Sequence, residues 1–169
     1  MHIHHDVLLN APPQQAMEYM LSEAFLEALT QGLDNVSDIE KLTHEQTQDK
    51  LARVLRYQAP TRNKLPKFLK KYEDKAPEFV YWKEVATWDL PNRAMSYTIE
   101  PEVPQQWTSY YDVSGSVAWT PEGQGTRMRA TLTFDVNVFG LKRLIERALE
   151  PEVTRLMKVQ GDLVQRHFA

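Results

Sequence analysis

The sequence predicts an α+β protein in which an antiparallel β-sheet packs against one long C-terminal helix. Apolar and polar residues alternate almost without fault over 126–138, which is typical of a strand with one buried and one wet face. After Gly140 the apolar residues recur every three or four positions to the C-terminus, as in an amphipathic helix. Such a helix must cover its apolar stripe, and the apolar face of the sheet is the obvious partner.

Length and composition indicate a single domain over 1–169 with room for a sizeable core. The net charge of −3 argues against a nucleic-acid partner, because no basic excess is present to neutralise phosphates. The chain has no cysteine, which excludes disulfides and thiolate chemistry. It also has no apolar run of the roughly 20 residues that span a bilayer and no signal-peptide pattern, so we expect a cytoplasmic protein.

The first third of the chain predicts one strand and two short helices. Residues 2–9 alternate as a strand that ends at two prolines. A helix then follows from Pro13 to Leu21, since proline is tolerated at a helix start. Ser22 is a good N-cap for a second helix from Glu23 to Thr30, and Gly32 is placed to stop it.

The middle of the chain predicts three hairpins. Their paired arms are 36–45 with 47–57, 78–89 with 93–100, and 106–120 with 126–138. Between the first two hairpins, 60–77 holds three prolines and several lysines and predicts a loop with one helical turn near 66–72. The final helix is expected over about 140–167, kinked at Pro151, where an intrahelical hydrogen bond is lost.

This order of elements resembles the helix-grip fold of the START-like, birch-pollen-allergen-like superfamily (SRPBCC). The resemblance spans essentially the whole chain and is closest to an uncharacterised bacterial branch. It rests on the opening strand followed by Asn10-Ala11-Pro12, on Glu84 with Trp88, on Gly115 before the turn at 121–126, and on 140–146. It implies a curved sheet of about seven strands that grips the long helix over a cavity. Superfamily members include polyketide cyclases and lipid-transport proteins, so the resemblance implies a small hydrophobic or amphipathic ligand, including lipid-like ones, and no cofactor.

Aromatic residues concentrate in the predicted strands and are candidates to line that cavity. Tyrosine and tryptophan bring polar atoms into an apolar wall, which suits an amphipathic ligand, although they can also simply fill a core. The side chains expected to contact the ligand are Trp82, Glu84, Trp88, Tyr97, Trp107, Tyr111, Leu144 and Ala148.

Glu84 is the candidate for acid–base chemistry. If Trp82 and Trp88 face inward, the period of two brings Glu84 inward with them, and a desolvated carboxyl has the raised pKa of a general acid or base. The opposite register, with Tyr81 and Val85 inward, leaves Glu84 in water. The strand is apolar on both sides, so the two registers remain open.

Other polar residues give weaker hypotheses. Arg53 and Arg56 lie on opposite faces of one predicted strand, so one of them could point inward to pair with Glu84 or with an anionic group of a ligand. His2 and His4 form an HxH pair, but no third ligand is suitably spaced, so no metal site is expected.

The lysines of 60–77 surround apolar residues in the same segment. Basic and apolar residues together can contact an anionic membrane surface transiently while a cavity loads or releases a lipid, although most charge clusters on loops are only solvated.

Three functions are compatible with the sequence. The first is a carrier or sensor of a small hydrophobic or amphipathic molecule. The second is an enzyme of the cyclase, dehydratase or aromatase kind, in which Glu84 moves protons with help from Tyr97 or Tyr111. The third is an interaction module with a filled core, akin to the co-chaperones of the superfamily.

Overall fold

The computed structural model describes residues 1–61, 67, 70–71, 74 and 76–169, except for the side chain of Trp107. That part of the chain forms seven strands and three α-helices. The strands are β1 (His2–Leu9), β2 (Asp38–Gln46), β3 (Lys50–Pro60), β4 (Phe79–Asp89), β5 (Ala94–Pro101), β6 (Tyr111–Glu122) and β7 (Gly125–Val136). The helices are α1 (Pro13–Leu21), α2 (Glu23–Gly32) and α3 (Lys142–His167). The helical turn expected near 66–72 lies mostly outside the described residues.

The strands form one antiparallel sheet in the order β1-β7-β6-β5-β4-β3-β2. The predicted strand over 106–120 is wrong in its first part, because Gln105–Tyr110 form a 3-10 helix and β6 starts only at Tyr111. Pro104 sits directly before that helix, and proline has no amide hydrogen to continue a strand ladder. The predicted α+β architecture is otherwise confirmed.

The strand pairing shows at which end of the sheet each connection between strands lies. Pro60 pairs with Phe79, and Tyr111 pairs with Val136, so the connections 61–78, 102–110 and 137–141 lie at the same end. We call these three connections the loop end. Helix α1 follows the last residue of β1, which puts it at the opposite end of the sheet, called the closed end below. Helix α2 leads from there to β2, whose first residue, Asp38, pairs with Gln58 near the loop end.

Helices α1 and α2 meet at Ser22, which caps the second helix. Its Oγ accepts a hydrogen bond from the Phe25 amide at 3.2 Å and donates one to the Tyr19 carbonyl at 2.6 Å. A serine N-cap stabilises a helix by about 1 kcal/mol, so the sharp turn between the helices is encoded locally. The two helices bury one apolar side against the sheet and α3: Ala16, Met17, Met20, Phe25, Leu26 and Leu29.

The long helix α3 runs unbroken through Pro151 and packs against β1, β7 and α2. Met157, Gly161 and Val164 are buried. Gly161 allows α3 to lie close to β1, because a Cβ at this position would lie 2.6 Å from Val7 Cγ2. No helix in the described part of the chain has the length and apolar character needed to cross a membrane.

Candidate cavity between the sheet and the long helix

A cavity of about 880 Å³ lies between the inner face of the sheet, helix α2 and the middle of α3. Its wall is mostly apolar and draws on every strand from β3 to β7. Sites for small molecules in proteins typically measure roughly 300–1,000 Å³, so the cavity is large enough for a small molecule.

Strand alternation decides which polar groups face this cavity. On β3 the inward positions are 51, 53, 55, 57 and 59, and on β4 they are 82, 84, 86 and 88. Arg53 and Glu84 are therefore both inward, at 3% and 8% exposure. The register with Tyr81 and Val85 inward is not the one found, because Trp88 packs completely while Tyr81 stays half-buried.

Arg53 is a buried cation with very little bonding from the protein. Its Nη1 donates to the Met20 carbonyl at 3.4 Å, which is long, and its Nε has no acceptor among the described residues. The guanidinium lies over the Trp88 ring, 5.4 Å from the ring centre, a favourable cation–π geometry. Burial lowers the pKa of Arg53, and the nearby Glu84 charge partly offsets that effect, but arginine stays protonated at any physiological pH.

Glu84 is desolvated and pairs with a tyrosine rather than with the arginine. The Tyr57 hydroxyl lies 3.4 Å from Glu84 Oε2, and no nitrogen of Arg53 lies within ion-pair distance of the carboxyl. Burial raises the pKa of Glu84, while Arg53 and the Tyr57 hydrogen bond oppose that rise. Burial next to this carboxyl also raises the pKa of Tyr57 well above its usual range and raises that of Tyr97. On balance the pKa of this carboxyl is raised above the ordinary value of a glutamic acid.

Arg56, three residues further along β3, shows the opposite environment. It lies on the outer face of the sheet and makes two hydrogen bonds of 2.8 Å to Glu102, with its guanidinium 4.1 Å from the centre of the Tyr81 ring. The open question of which arginine points inward is therefore answered in favour of Arg53.

A polar cluster joins the segment after α2 to the middle of α3 at the cavity wall. Arg155 bonds Asp34 at 2.9 Å and Glu152 at 3.1 Å, and the Asn35 amide donates to Glu152 at 3.2 Å. All four residues line the cavity, and the Asp34 side chain is 80% exposed. The cavity thus reaches the surface at this cluster.

The structure brings together five of the eight side chains predicted to contact a ligand. Trp82, Glu84, Trp88, Tyr97 and Ala148 line the cavity. Tyr111 packs against the core but is outside the cavity wall. The inward position expected for Leu144 is wrong: this residue is 41% exposed, because the cavity-facing side of α3 begins one turn later at Ala148. The side chain of Trp107 lies outside the described part.

Sequence reasoning missed Tyr57, the partner of Glu84. The signal was present in the alternation of β3, since the parity that turns Arg53 inward also turns Leu55 and Tyr57 inward. Nothing in the described residues groups three histidine or acidic side chains in a way that could hold a metal ion.

Comparison with known proteins gives a family and confirms the fold. The model of the family described as "Protein of unknown function (DUF2505)" matches residues 4–167, so the chain belongs to that family. No protein of curated function is detectably similar to the chain.

Several solved structures share the architecture along the entire chain. TTHA0849 from Thermus thermophilus is 20% identical, with a TM-score of 0.67 and 100% coverage of both chains. The Zhui aromatase/cyclase from Streptomyces sp. R1128 is 17% identical, with a TM-score of 0.63 and coverage of 100% of this chain and 96% of its own. A START superfamily protein from Mycobacterium smegmatis is 10% identical, with a TM-score of 0.60 and coverage of 98% and 97%. The predicted helix-grip fold is thereby confirmed.

Proposed function

We propose that the protein binds a small amphipathic, lipid-like molecule in the cavity between the sheet and α3, as a carrier or sensor. The observation that carries this proposal is the cavity of about 880 Å³, whose wall is mostly apolar. Apolar contact yields about 25 cal/mol per Å² removed from water, so a ligand that covers this wall gains most of its affinity there. A filled-core interaction module has no need of such a void.

A neutral, environment-sensitive dye tests this proposal. Nile red should bind the native protein saturably and be displaced by dodecan-1-ol. Ala148→Trp places a large ring in the cavity wall and should weaken dye binding strongly. Leu144→Trp, one turn nearer the start of α3 at a 41% exposed position outside the cavity wall, should not. Equal dye binding by the two variants, or no binding by the unchanged protein, would contradict the proposal.

Ligand exchange at an anionic membrane surface is part of the same proposal. Phe139 is fully exposed at the loop end, next to Leu141 at 40% exposure. Lys67 and Lys70 are exposed on the connection between β3 and β4, which belongs to the same end. Val80 lines the cavity and is 42% exposed, so the cavity wall also reaches the surface near this end. Exposed apolar residues beside lysines suit contact with anionic lipid headgroups.

An enzyme of the cyclase or dehydratase kind is the second candidate, and the Glu84–Tyr57 pair favours it. A carboxyl with a raised pKa can remove a proton from a carbon between two carbonyl groups, and a tyrosine hydroxyl can hydrogen-bond the developing enolate. The similarity to an aromatase/cyclase concerns the fold alone.

A product assay separates the enzyme from the carrier. The protein would be incubated with a linear poly-β-keto thioester, and cyclised products would be sought by mass spectrometry. An enzyme should give products that Glu84→Gln abolishes while binding persists, and the outer-face control Glu102→Gln should retain them. A carrier should bind the compound without converting it.

A further inference from the structure

We propose that the ligand of this cavity carries one carboxylate, which binds at Arg53 beside the corner between α1 and α2, with its apolar body lying along β3 towards Ala59 and Val80. This assignment rests on the proposed binding function and names the chemical class of its ligand. The relevant observation is a buried cation that the described part of the protein leaves almost without acceptors.

Buried charges in proteins are ordinarily paired, because removal of an ion from water costs several kcal/mol. Arg53 is 3% exposed, yet no carboxylate lies within ion-pair distance of it among the described residues. Its guanidinium has five N–H donors, and the 3.4 Å contact with the Met20 carbonyl engages only one of them. The side chain thus has unused donors at the wall of a cavity.

A second unpaired donor lies at the same place. The Trp88 indole Nε1 is buried and has no acceptor among the described residues, and the Arg53 guanidinium lies over this ring. The unused donors of a buried guanidinium call for a ligand group rich in acceptors. A carboxylate provides about four lone-pair positions in the planar geometry that matches a guanidinium fork.

The neighbouring acid does not supply that carboxylate. Leu55 pairs with Glu84 across β3 and β4, which makes Arg53 and Glu84 diagonal neighbours rather than direct ones. The Glu84 carboxyl contacts Tyr57 instead. The space beside Arg53 is therefore available to a ligand, while Glu84 lies further along the ligand's path.

The number of cations in the wall favours a single negative charge. The cavity-lining residues include two arginines, and Arg155 is already bonded to Asp34 and Glu152. One arginine compensates one charge, which fits a carboxylate better than a phosphate dianion. The apolar remainder of the wall runs from the Arg53 region to Ala59, Val80 and Ile99, so the body of the ligand is expected to lie there.

Displacement of Nile red by three ligands that share one alkyl chain tests the assignment. At about pH 8, where a free carboxyl group is ionised, dodecanoate should displace the dye at a roughly tenfold or more lower concentration than dodecan-1-ol, as expected of a charge-assisted hydrogen bond. Dodecyl phosphate should bind more weakly than dodecanoate. Tighter binding of the phosphate, or equal binding of the alcohol and the carboxylate, would overturn the assignment.

Arg53→Met keeps the volume of the side chain and removes the charge. It should abolish the preference for dodecanoate over dodecan-1-ol. The matched control is Arg56→Met on the outer face, which should keep the full preference. Retention of the preference in Arg53→Met would refute the role of Arg53.

Dodecanoate labelled with carbon-13 at the carboxyl gives a check on the unchanged protein that requires no variant. The bound carboxyl should titrate at a lower pH than the free one, because Arg53 stabilises the ionised form. An unshifted or raised titration would contradict the assignment. If neither dodecan-1-ol nor dodecanoate displaces the dye, the proposed binding function itself fails, and that result differs from equal binding of both.

Discussion

The inner face of β3 passes through two different environments within five residues. Leu51 and Leu55 are the same residue type, share one face of the strand and are each 1% exposed. Leu51 is packed at the closed end, outside the cavity wall, whereas Leu55 forms part of that wall. The two leucines are therefore equally buried from solvent, but Leu51 is fully packed and Leu55 borders a void.

The two environments also differ in the charges that they hold. At the closed end the largest buried side chains are apolar, and Trp119 stacks on Trp88 with 5.3 Å between ring centres. Trp88 is the boundary, since its ring also lines the cavity and lies below the Arg53 guanidinium. The buried charged residues Arg53 and Glu84 both belong to the cavity. The closed end stabilises the fold, and the cavity retains the groups that a stable core would exclude.

Truncation of the two leucines should give the largest difference. Leu51→Ala leaves a new closed void and should cost about 3–5 kcal/mol of unfolding free energy, while Leu55→Ala merely enlarges an existing space and should cost about 2 kcal/mol or less. Urea unfolding at equilibrium measures both values. A larger loss for Leu55→Ala than for Leu51→Ala would show that the cavity is filled in solution by a rearranged core.

The contact between α3 and β1 at the closed end should be intolerant of one methyl group. Gly161→Ala brings a Cβ to 2.6 Å from Val7 Cγ2, and the β-branched valine cannot easily turn away. We expect a loss of about 1–3 kcal/mol from overpacking, measured by thermal or urea unfolding.

Gly32→Ala is the matched control for this contact. Its added Cβ would be 3.4 Å from Val159 Cγ1, and alanine favours a helix over glycine by roughly 0.5–1 kcal/mol. This variant should be as stable as the unchanged protein or slightly more stable. If both alanine variants are more stable than the unchanged protein, α3 does not pack closely on β1 at Gly161.

Two glutamates on opposite faces of the sheet should change stability with pH in opposite directions. Burial raises the pKa of Glu84 in the folded state, so the folded protein holds a proton that the unfolded chain has released. Stability is therefore lost as the pH rises from about 4.5, the ordinary value, through the raised pKa. Glu84→Gln should remove that loss and be at least as stable as the unchanged protein at about pH 8.

The contribution of Glu102 to stability changes with pH in the opposite direction. Its hydrogen bond to Arg56 lowers the pKa of its carboxyl, so its contribution is present above the ordinary value and is lost as the pH falls through the lowered pKa. Glu102→Gln should reduce stability slightly at neutral pH and flatten the acid side of the profile. Unfolding measured across a pH series checks both variants, and identical profiles for the two would argue against an inward Glu84.

The smallest effect on stability is expected at the loop end. Phe139→Ser should leave unfolding unchanged, because the side chain is fully exposed, but should weaken sedimentation with vesicles that contain phosphatidylserine. Leu42→Ser, on the exposed strand β2, is the matched control and should not affect sedimentation. Equal sedimentation of the two variants would show that Phe139 does not contact the membrane.

The sequence predicted the fold far better than it predicted the cavity, for a physical reason. Strand alternation in β7 and the helical period of α3 are local signals, and the structure follows both closely. The inward set on β4 was ambiguous, because Tyr81, Trp82 and Val85 make both faces of that strand apolar. Only pairing with β3, where Leu51 and Leu55 fix the parity, places Glu84 inside.

The errors at α3 and before β6 have equally specific causes. Leu144 fits the apolar stripe of the helix, yet this side chain is 41% exposed, and the cavity-facing part of α3 begins only at Ala148. A helical period shows which side of a helix is apolar but not where the neighbouring surface ends. The 3-10 helix before Tyr111 follows Pro104, a residue whose effect on strand pairing depends on its position in the sheet.

Native mass spectrometry of the protein isolated from the cells that produce it tests occupancy of the cavity most directly. The unchanged protein should carry one small-molecule adduct, in a one-to-one complex that organic solvent dissociates. Leu144→Trp should retain this adduct and Ala148→Trp should lose it, because only the second ring enters the cavity. An unchanged protein without an adduct, or the same adduct on Ala148→Trp, would contradict the account.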